Sequence, residues 1–373
     1  MSAIPLIEIS GEPRERGEQY GEQVRDRIAA AISYYTELFA VSAGLSWAEV
    51  CDRARLWMPL VEDFAPDVVA EMHGVAAGAG VGPLDILALN ARGEIVYDQT
   101  FPSMGQNDET DGCSSFALLA EASGDGHVYC GQNWDWRAGV ADTTLALRIV
   151  QPPKPTIVTT VEAGQIGRHG ANSAGIALNA NGLGGRFDNS IGVPQTFIRR
   201  KILDSARFTD AMRVAVTVRQ QIAANLLLTH RDGMSIDLET TPKAHHWLYP
   251  EHDLLVHTNH YRDWVPEQLK ADYRPGSTSS LYRLPRLEKL LSRCRDSAEP
   301  RKLIAEALSD HFGYPNALCA HPDDGLEAVH QHQTIASCVM DLTTGEFLVA
   351  AGPPCQYEFE TLPWNIYDGT EER

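Results

Sequence analysis

Along the first hundred residues the apolar positions recur at intervals of three and four. Val24, Ile28, Ile32, Tyr35 and Phe39 form one such stripe, the spacing of a helix with one buried face. Ser46-Trp47-Ala48-Glu49 is a capping-box start. The helix after it puts Trp47, Val50, Cys51, Ala54, Trp57, Met58 and Val61 on one side, and Pro59 is expected to kink or end it. Cys51 lies on that stripe and is assigned to the core. Further helices are predicted after Pro66 and after Pro83. Near residue 99 the pattern changes. Gln99 to Gly112 (QTFPSMGQNDETDG) is polar and reads as an exposed loop. Short strand-like runs follow at 114–121, 127–134, 144–151, 156–162, 166–170 and 175–181, then at 225–230, 234–239, 253–258, 334–341 and 346–351. Helices are predicted near 197–218, 284–293 and 299–312. Helices segregated from many strands predict an α+β fold, two layers of antiparallel sheet with helices outside. Gly78-x-Gly80-x-Gly82 and Gly182-Leu183-Gly184-Gly185 lack the strand–turn–helix setting of a dinucleotide site and read as loops.

Composition narrows the function classes. The chain has 373 residues with 31 basic and 50 acidic groups, a net charge of −19. Nucleic acid and anionic membrane surfaces are disfavoured partners, because both require a surplus of Lys and Arg. The acidity is uneven. Residues 1–112 hold 7 Arg, no Lys and 19 acidic groups, a net of −12, and the remaining residues carry −7. No run of 18 apolar residues occurs, and the N-terminus has no positive region followed by an apolar stretch, so the expected location is cytoplasmic. The seven cysteines are odd in number and contain no C-x-x-C pair, which argues against a disulfide framework and a cysteine zinc ribbon. Cys130, Cys294, Cys319, Cys338 and Cys355 are assigned structural roles.

The candidate chemistry lies where the texture changes. Asp111-Gly112-Cys113 ends the polar loop and opens a strand; Ala122 to Gly126 is a turn signal; a second strand ends in Gly131-Gln132-Asn133-Trp134-Asp135. A hairpin centred on Gly124 would set Cys113 opposite Asp135. A thiol at a strand start needs a base. No histidine is placed for that role locally, but a cut between Gly112 and Cys113 would free an α-amine whose pKa of roughly 7.7–8.0 suits it to the task. Glycine before the cut removes a Cβ that would hinder attack, and it tolerates a strained backbone.

These residues resemble the acyl-coenzyme A:6-aminopenicillanate acyltransferase family of cysteine N-terminal-nucleophile (Ntn) hydrolases. The resemblance rests on Asp-Gly-Cys followed by Gly-Gln-Asn-Trp-Asp, on Glu162 to Gly167 leading into Asn172 to Ala177, and on Val256-His257-Thr258-Asn259-His260. It also rests on Ser280-x-x-Arg283-x-x-Arg286, Gly11-x-Pro-x-x-Arg-Gly-x-x-Tyr-Gly21 and Asn90-x-Arg92. It implies a four-layer αββα sandwich, one domain assembled from a helical segment 1–112 and a catalytic segment 113–373, cut from each other between Gly112 and Cys113 to leave an α/β heterodimer. It implies Cys113 as nucleophile, Asp135 as the residue that helps hold the freed amine and thiol, Asn259 as oxyanion donor and Arg283 in a supporting place. Gln132 stands where the choloylglycine-hydrolase relatives carry an arginine, which weakens a bile-salt hydrolase reading.

The expected activity is that of a self-processing amidohydrolase or N-acyltransferase acting on a small-molecule amide or acyl thioester. No cofactor and no metal are expected, and acyl-coenzyme A is admitted as an acyl-donor substrate. One rival is a metal-dependent hydrolase built on His245, His246, His257, His260, His321, His330 and His332. The other is a non-catalytic ligand-binding protein that retains the fold. Segments 262–279 and 313–331 match the family poorly and are expected to shape the substrate pocket.

Overall fold

The computed structural model describes residues 4–96, 112–185, 187 and 190–368. Of the expected loop 99–112 only Gly112 is among the described residues. The chain opens on a strand, β1 (Leu6–Ser10), where an entirely helical first segment was expected. Ile7 and Ile9 are buried and their neighbours exposed, a period of two over only five residues. Helices α1 (Pro13–Gln23), α2 (Arg25–Ala43), α3 (Trp47–Ala54), α4 (Met58–Phe64), α5 (Pro66–Ala79), α6 (Pro83–Asn90) and α7 (Arg92–Val96) follow. The Ser46 capping box forms. The helix it starts gives way to a 3-10 turn over Arg55–Trp57, and Pro59 falls in the first turn of α4, where its missing N–H costs no intrahelical bond.

The remaining strands are β2 (Ser114–Leu118), β3 (Tyr129–Arg137), β4 (Thr144–Val150), β5 (Ile157–Glu162), β6 (His169–Asn172), β7 (Ile176–Gly182), β8 (Ala224–His230), β9 (Met234–Thr240), β10 (His245–Leu248), β11 (Leu254–His257), β12 (His332–Asp341), β13 (Glu346–Ala350) and β14 (Glu360–Thr361). Two helices, α8 (Gln195–Leu203) and α9 (Phe208–Thr217), replace the single one expected over 197–218; α10 (Ser280–Leu291) and α11 (Pro300–Leu308) complete the set.

The strands form two sheets, β1-β4-β5-β6-β7-β8-β9-β10 and β11-β2-β3-β12-β13-β14. Pairing is antiparallel throughout, except between β1 and β4. Alternation along the strands assigns each face. Ala146, Val158, Ala171 and Ala177 of the first sheet meet Ala117, Cys130, Cys338 and Met340 of the second. The other face of the first sheet, with Leu147, Ile149, Val161 and Leu178, packs on Phe39, Met72, Val75 and Leu87 of the N-terminal helices. The other face of the second sheet, with Phe116, Tyr129 and Val339, packs on Leu287, Leu291, Ile304 and Leu308 of α10 and α11. The result is the four-layer αββα sandwich.

Two devices lock the N-terminal helices down. The first is backbone contact between α1 and α5. A Cβ added at Gly17 would lie 2.0 Å from the Glu71 carbonyl oxygen, and one at Gly74 would lie 2.1 Å from that of Arg14. Gly21 and Gly78 repeat the arrangement one turn on. Gly78, expected in a loop, is thus a helical residue needed for close approach. The second device is ionic. The wholly buried Glu71 accepts from Arg16 of α1, and from Arg200 of α8 at 2.6 and 2.8 Å; Arg200 also donates to Asp204 at 3.0 Å. Removing one partner of a buried ion pair typically costs about 3–5 kcal/mol, because the remaining charge stays desolvated. Glu71→Gln is therefore expected to lower the unfolding free energy by about that much, read as the midpoint shift in urea; a loss within the error of measurement would contradict this account of the seam.

Candidate active site

The second sheet brings the predicted residues together at one end. Its order places β11, β2, β3 and β12 side by side. The β11–β2 register pairs His257 with Ser115, so continuing it by two residues brings Asn259 level with Cys113. The β2–β3 register pairs Ser114 with Asn133, so Trp134, not Asp135, comes level with Cys113. The expected hairpin register is off by one. Asp135 instead lies over Gly112: a Cβ added at Gly112 would stand 2.9 Å from Asp135 Cβ and 3.0 Å from its Oδ2. Glycine is required at 112 by this contact. On β12, Thr334 is the partner of Asp135, and its hydroxyl donates to Asp135 Oδ1 at 2.6 Å.

Arg283, in the first turn of α10, ties these strand ends to one another. It is buried, and its guanidinium donates to five oxygens. Nη1 reaches the Gly112 carbonyl at 2.6 Å, the Cys113 carbonyl at 2.9 Å and Ser114 Oγ at 2.7 Å. Nη2 reaches Asn259 Oδ1 at 2.8 Å, and Nε reaches Ser279 Oγ at 3.1 Å. A guanidinium has only donors, so Asn259 must turn its carbonyl to Arg283 and its amide nitrogen away. That nitrogen donates to Gly182 O at 3.0 Å. The residue given only a supporting place from its motif donates directly to the carbonyls of both Gly112 and Cys113. Cys113 itself is fully buried.

A narrow crevice opens on this cluster, lined by Gly112, Asp135, Ser279, Arg283, Asn316 and His332. Ser277, Ser279, Asn316, Ala317 and Ala320 come from the two poorly matching segments, which do supply pocket wall. A second cleft is lined by Arg92, Glu94, Trp136, Arg168, Leu183 and Arg199, and Gly182 belongs to it as well as to the Asn259 contact.

His257 and His260 have other occupations. Burial pulls the His257 pKa down, but Asp237 and Glu239 outweigh it and the ring ends above its usual value; its Nε2 lies 2.9 Å from Glu239 Oε1. Burial, with the neighbouring His257, Arg283 and Arg262 charges, holds His260 at about 4, so it is neutral at physiological pH. Among the described residues, one His/Cys group converges: His311, Cys319, His321 and Cys355. Of the seven candidate ligand histidines only His321 belongs to it. Four protein donors leave no open position for a metal-bound water, so the geometry gives no support to a metal-dependent hydrolase.

The family model for acyl-coenzyme A:6-aminopenicillanic acid acyl-transferase matches residues 122–354. This chain belongs to that family. A curated relative, the acyl-coenzyme A:6-aminopenicillanic-acid-acyltransferase 40 kDa form of Emericella nidulans, is 27% identical over 358 residues, 93% of this chain and 92% of that one. Among solved structures, a Caenorhabditis elegans N-acylethanolamine-hydrolyzing acid amidase ortholog superposes with a TM-score of 0.46 at 14% identity, over 67% of this chain and 100% of that one. Penicillin V acylase from Agrobacterium tumefaciens superposes with a TM-score of 0.43 at 16% identity, over 64% and 83%. Both superpositions are loose; the fold stands on the strand order and core clusters given above.

The second cleft carries a pH signature. Burial raises the Glu94 carboxyl from 4.5 to about 7, against the Gln195 amide that donates to it at 2.8 Å. The folded state therefore favours the proton. The stability this confers is fully present below the unfolded pKa, near 4.5, and is lost as the pH rises through about 7. Glu94→Gln, which keeps a neutral acceptor, is expected to change little at pH 5 and to stabilise at pH 8 by about 3 kcal/mol at most, each tenfold in proton affinity being worth about 1.4 kcal/mol. Urea midpoints at the two pH values read this; equal shifts at both would contradict it.

Proposed function

We propose that this chain is a self-processing cysteine Ntn enzyme that cleaves or transfers an acyl group through a thioester on Cys113. The observation that carries the reading is the buried Arg283 Nη1, 2.6 Å from the Gly112 carbonyl oxygen. A carbonyl held by a buried cation beside a thiol is polarised for attack, and the same hydrogen bond strengthens as negative charge develops on that oxygen.

In the precursor, Cys113 Sγ attacks the Gly112 carbonyl carbon and the oxyanion forms against Arg283. The C–N bond breaks, the nitrogen takes a proton to become the Cys113 α-amine, and water hydrolyses the thioester to a Gly112 carboxylate and a free thiol. Two segments result, 1–112 and 113–373. In the mature enzyme the new amine accepts the thiol proton, with Asp135 as its acceptor neighbour, itself oriented by Thr334. Asn259 Nδ2 has two hydrogens, one of them given to Gly182 O; the other serves the oxyanion of the substrate amide or thioester. The acyl-enzyme then yields its acyl group to water or an amine. A small-molecule acyl substrate would approach through the narrow crevice beside Gly112 and Arg283, and the curated relative's named activity supports acyl-coenzyme A as a donor.

Intact mass under denaturing conditions tests the processing step directly. The uncut chain has a mass of 41.0 kDa. Two species meeting at the 112/113 boundary are expected, and Cys113→Ala should remain one chain; cleavage at that bond in the alanine variant would sink the mechanism. Arg283→Met is expected to slow self-cleavage by about 10²–10³, the usual cost of losing an oxyanion donor, in a time course of the unprocessed species. Gly112→Ala should slow it too, since the added Cβ would displace Asp135; a wild-type rate in both variants would remove the support this reading draws from Arg283 and Asp135.

A further inference from the structure

The His/Cys group at the far side of the pocket wall calls for its own explanation. His311 follows α11, Cys319 and His321 lie midway along the connection from α11 to β12, and Cys355 comes from the segment after β13. All four donor atoms lie within 4.8 Å of one another. His321 Nε2 is 3.1 Å from His311 Nε2, 3.5 Å from Cys319 Sγ and 3.4 Å from Cys355 Sγ. Hydrogen bonding does not account for this convergence. A neutral imidazole nitrogen has one lone pair or one proton to offer, yet three groups crowd the same atom.

A tetrahedral ion does account for it. With zinc–nitrogen bonds of about 2.05 Å and zinc–sulfur bonds of about 2.3 Å, ideal tetrahedral angles separate two nitrogens by about 3.3 Å and a nitrogen from a sulfur by about 3.6 Å. The three separations from His321 Nε2 fall within ~0.2–0.3 Å of these values, and the remaining pairs lie within 4.8 Å, so small side-chain adjustments would close the tetrahedron. We propose that His311, Cys319, His321 and Cys355 bind one divalent transition-metal ion, zinc by the softness and geometry of an S₂N₂ donor set, as a closed structural site. On binding, the two thiols release their protons to solvent, and two thiolates with two neutral imidazoles make the loaded site electrically neutral. His311 and Cys355 are exposed, while Cys319 and His321 are buried, so an ion has a path in from solvent. This replaces the expectation that the chain carries no metal, and the structural roles assigned to Cys319 and Cys355 become ligand roles.

The site's placement gives it a task. The backbone between Cys319 and His321 is Ala320, whose N–H donates to Thr334 Oγ1 at 3.0 Å and whose carbonyl accepts from Thr334 N at 3.1 Å. Thr334 in turn holds Asp135. Asn316, Ala317 and Ala320, inside the loop the ion would close, line the crevice over Gly112. The ion would fasten that loop to the C-terminal segment and so set the wall above Asp135. The proposal stands whether or not Cys113 is cut.

Elemental analysis of the untagged full-length protein, purified without added metal, is expected to find about one zinc per chain. Chelator-stripped protein should take up one Co²⁺ with the thiolate-to-cobalt charge-transfer and intense d–d absorption of a tetrahedral thiolate site. Cys355→Ser and His311→Ala should each weaken cobalt binding by about 100-fold or more, beyond the 10–100-fold typical of residues that only support a ligand. Cys51→Ser and Cys113→Ala should retain the metal in full. A Cys319–Cys355 disulfide in the native protein, failure to take up Co²⁺ stoichiometrically, or unchanged binding in both ligand variants would each overturn the proposal.

Discussion

A buried guanidinium that can only donate dictates the arrangement of everything near Cys113. Taking Arg283 out of water costs several kcal/mol unless its N–H groups are met, and the acceptors that meet them come from three separate pieces of chain. The start of β2 supplies Gly112 O, Cys113 O and Ser114 Oγ; the end of β11 supplies Asn259 Oδ1; the residue before α10 supplies Ser279 Oγ. Three of them share the two hydrogens of Nη1, so these pieces of chain are held against one another by a single side chain. The constraint also fixes chemistry. Because Arg283 takes the Asn259 oxygen, the Asn259 nitrogen must face Gly182, and because it takes the Gly112 oxygen, the backbone is held where Asp135 leaves no room for a side chain at 112.

Most of this was legible as types of residue and little of it as contact. The apolar periodicities located most of the helices and strands, though not the short β10 and β14, since each buries one face against a layer whose polarity does not depend on detail. The register of β2 and β3 was not legible. Their connection is a 3-10 turn at Ala120–Ala122 and a loop that docks on another part of the chain: Gly124 N donates to Cys294 O at 2.9 Å, and a Cβ at Gly124 would meet Ser297 O at 2.1 Å. Gly124 is there for tertiary contact and does not centre a symmetric turn, so the count from it was off by one. The edge strand β1 was hidden by brevity. The His311–Cys355 group was hidden because two of its spacings come from loops that only the fold brings together; His257 and His260, which spacing does reveal, are held by carboxylate, hydroxyl and backbone.

The family motifs divide into two kinds once their contacts are known. Gly112-Cys113, Asp135, Asn259 and Arg283 gather at the site. Arg16-Gly17, Tyr20-Gly21, Asn90-x-Arg92 and Glu162 to Ile166 gather elsewhere, at the seam between the N-terminal helices and the first sheet. The Tyr20 hydroxyl accepts from Gly164 N at 3.1 Å; Asn90 donates to Gly164 O at 2.8 Å and accepts from Ile166 N at 3.0 Å; Arg92 pairs with Glu162, which also accepts from Tyr35 at 2.8 Å. These motif residues are fasteners, a role their spacing could not separate from a catalytic one.

That seam bears on what a cut at Gly112 would do. The charge break that the sequence displays near residue 112 does not mark a separable body. β1 is hydrogen-bonded into the first sheet along β4, and one apolar cluster runs from the N-terminal helices into that sheet and on to Cys113, Trp134 and Trp136 of the second. Buried ion pairs cross from Glu71 to Arg200 and from Arg92 to Glu162. Separating the segments would expose that cluster and strand several desolvated charges, a cost of the size that unfolds a domain. Breaking one peptide bond removes none of these contacts. It would release backbone only beside Arg283 and Asp135, where the new amine and carboxylate would both find oppositely charged neighbours, so a cut there would leave the two segments assembled.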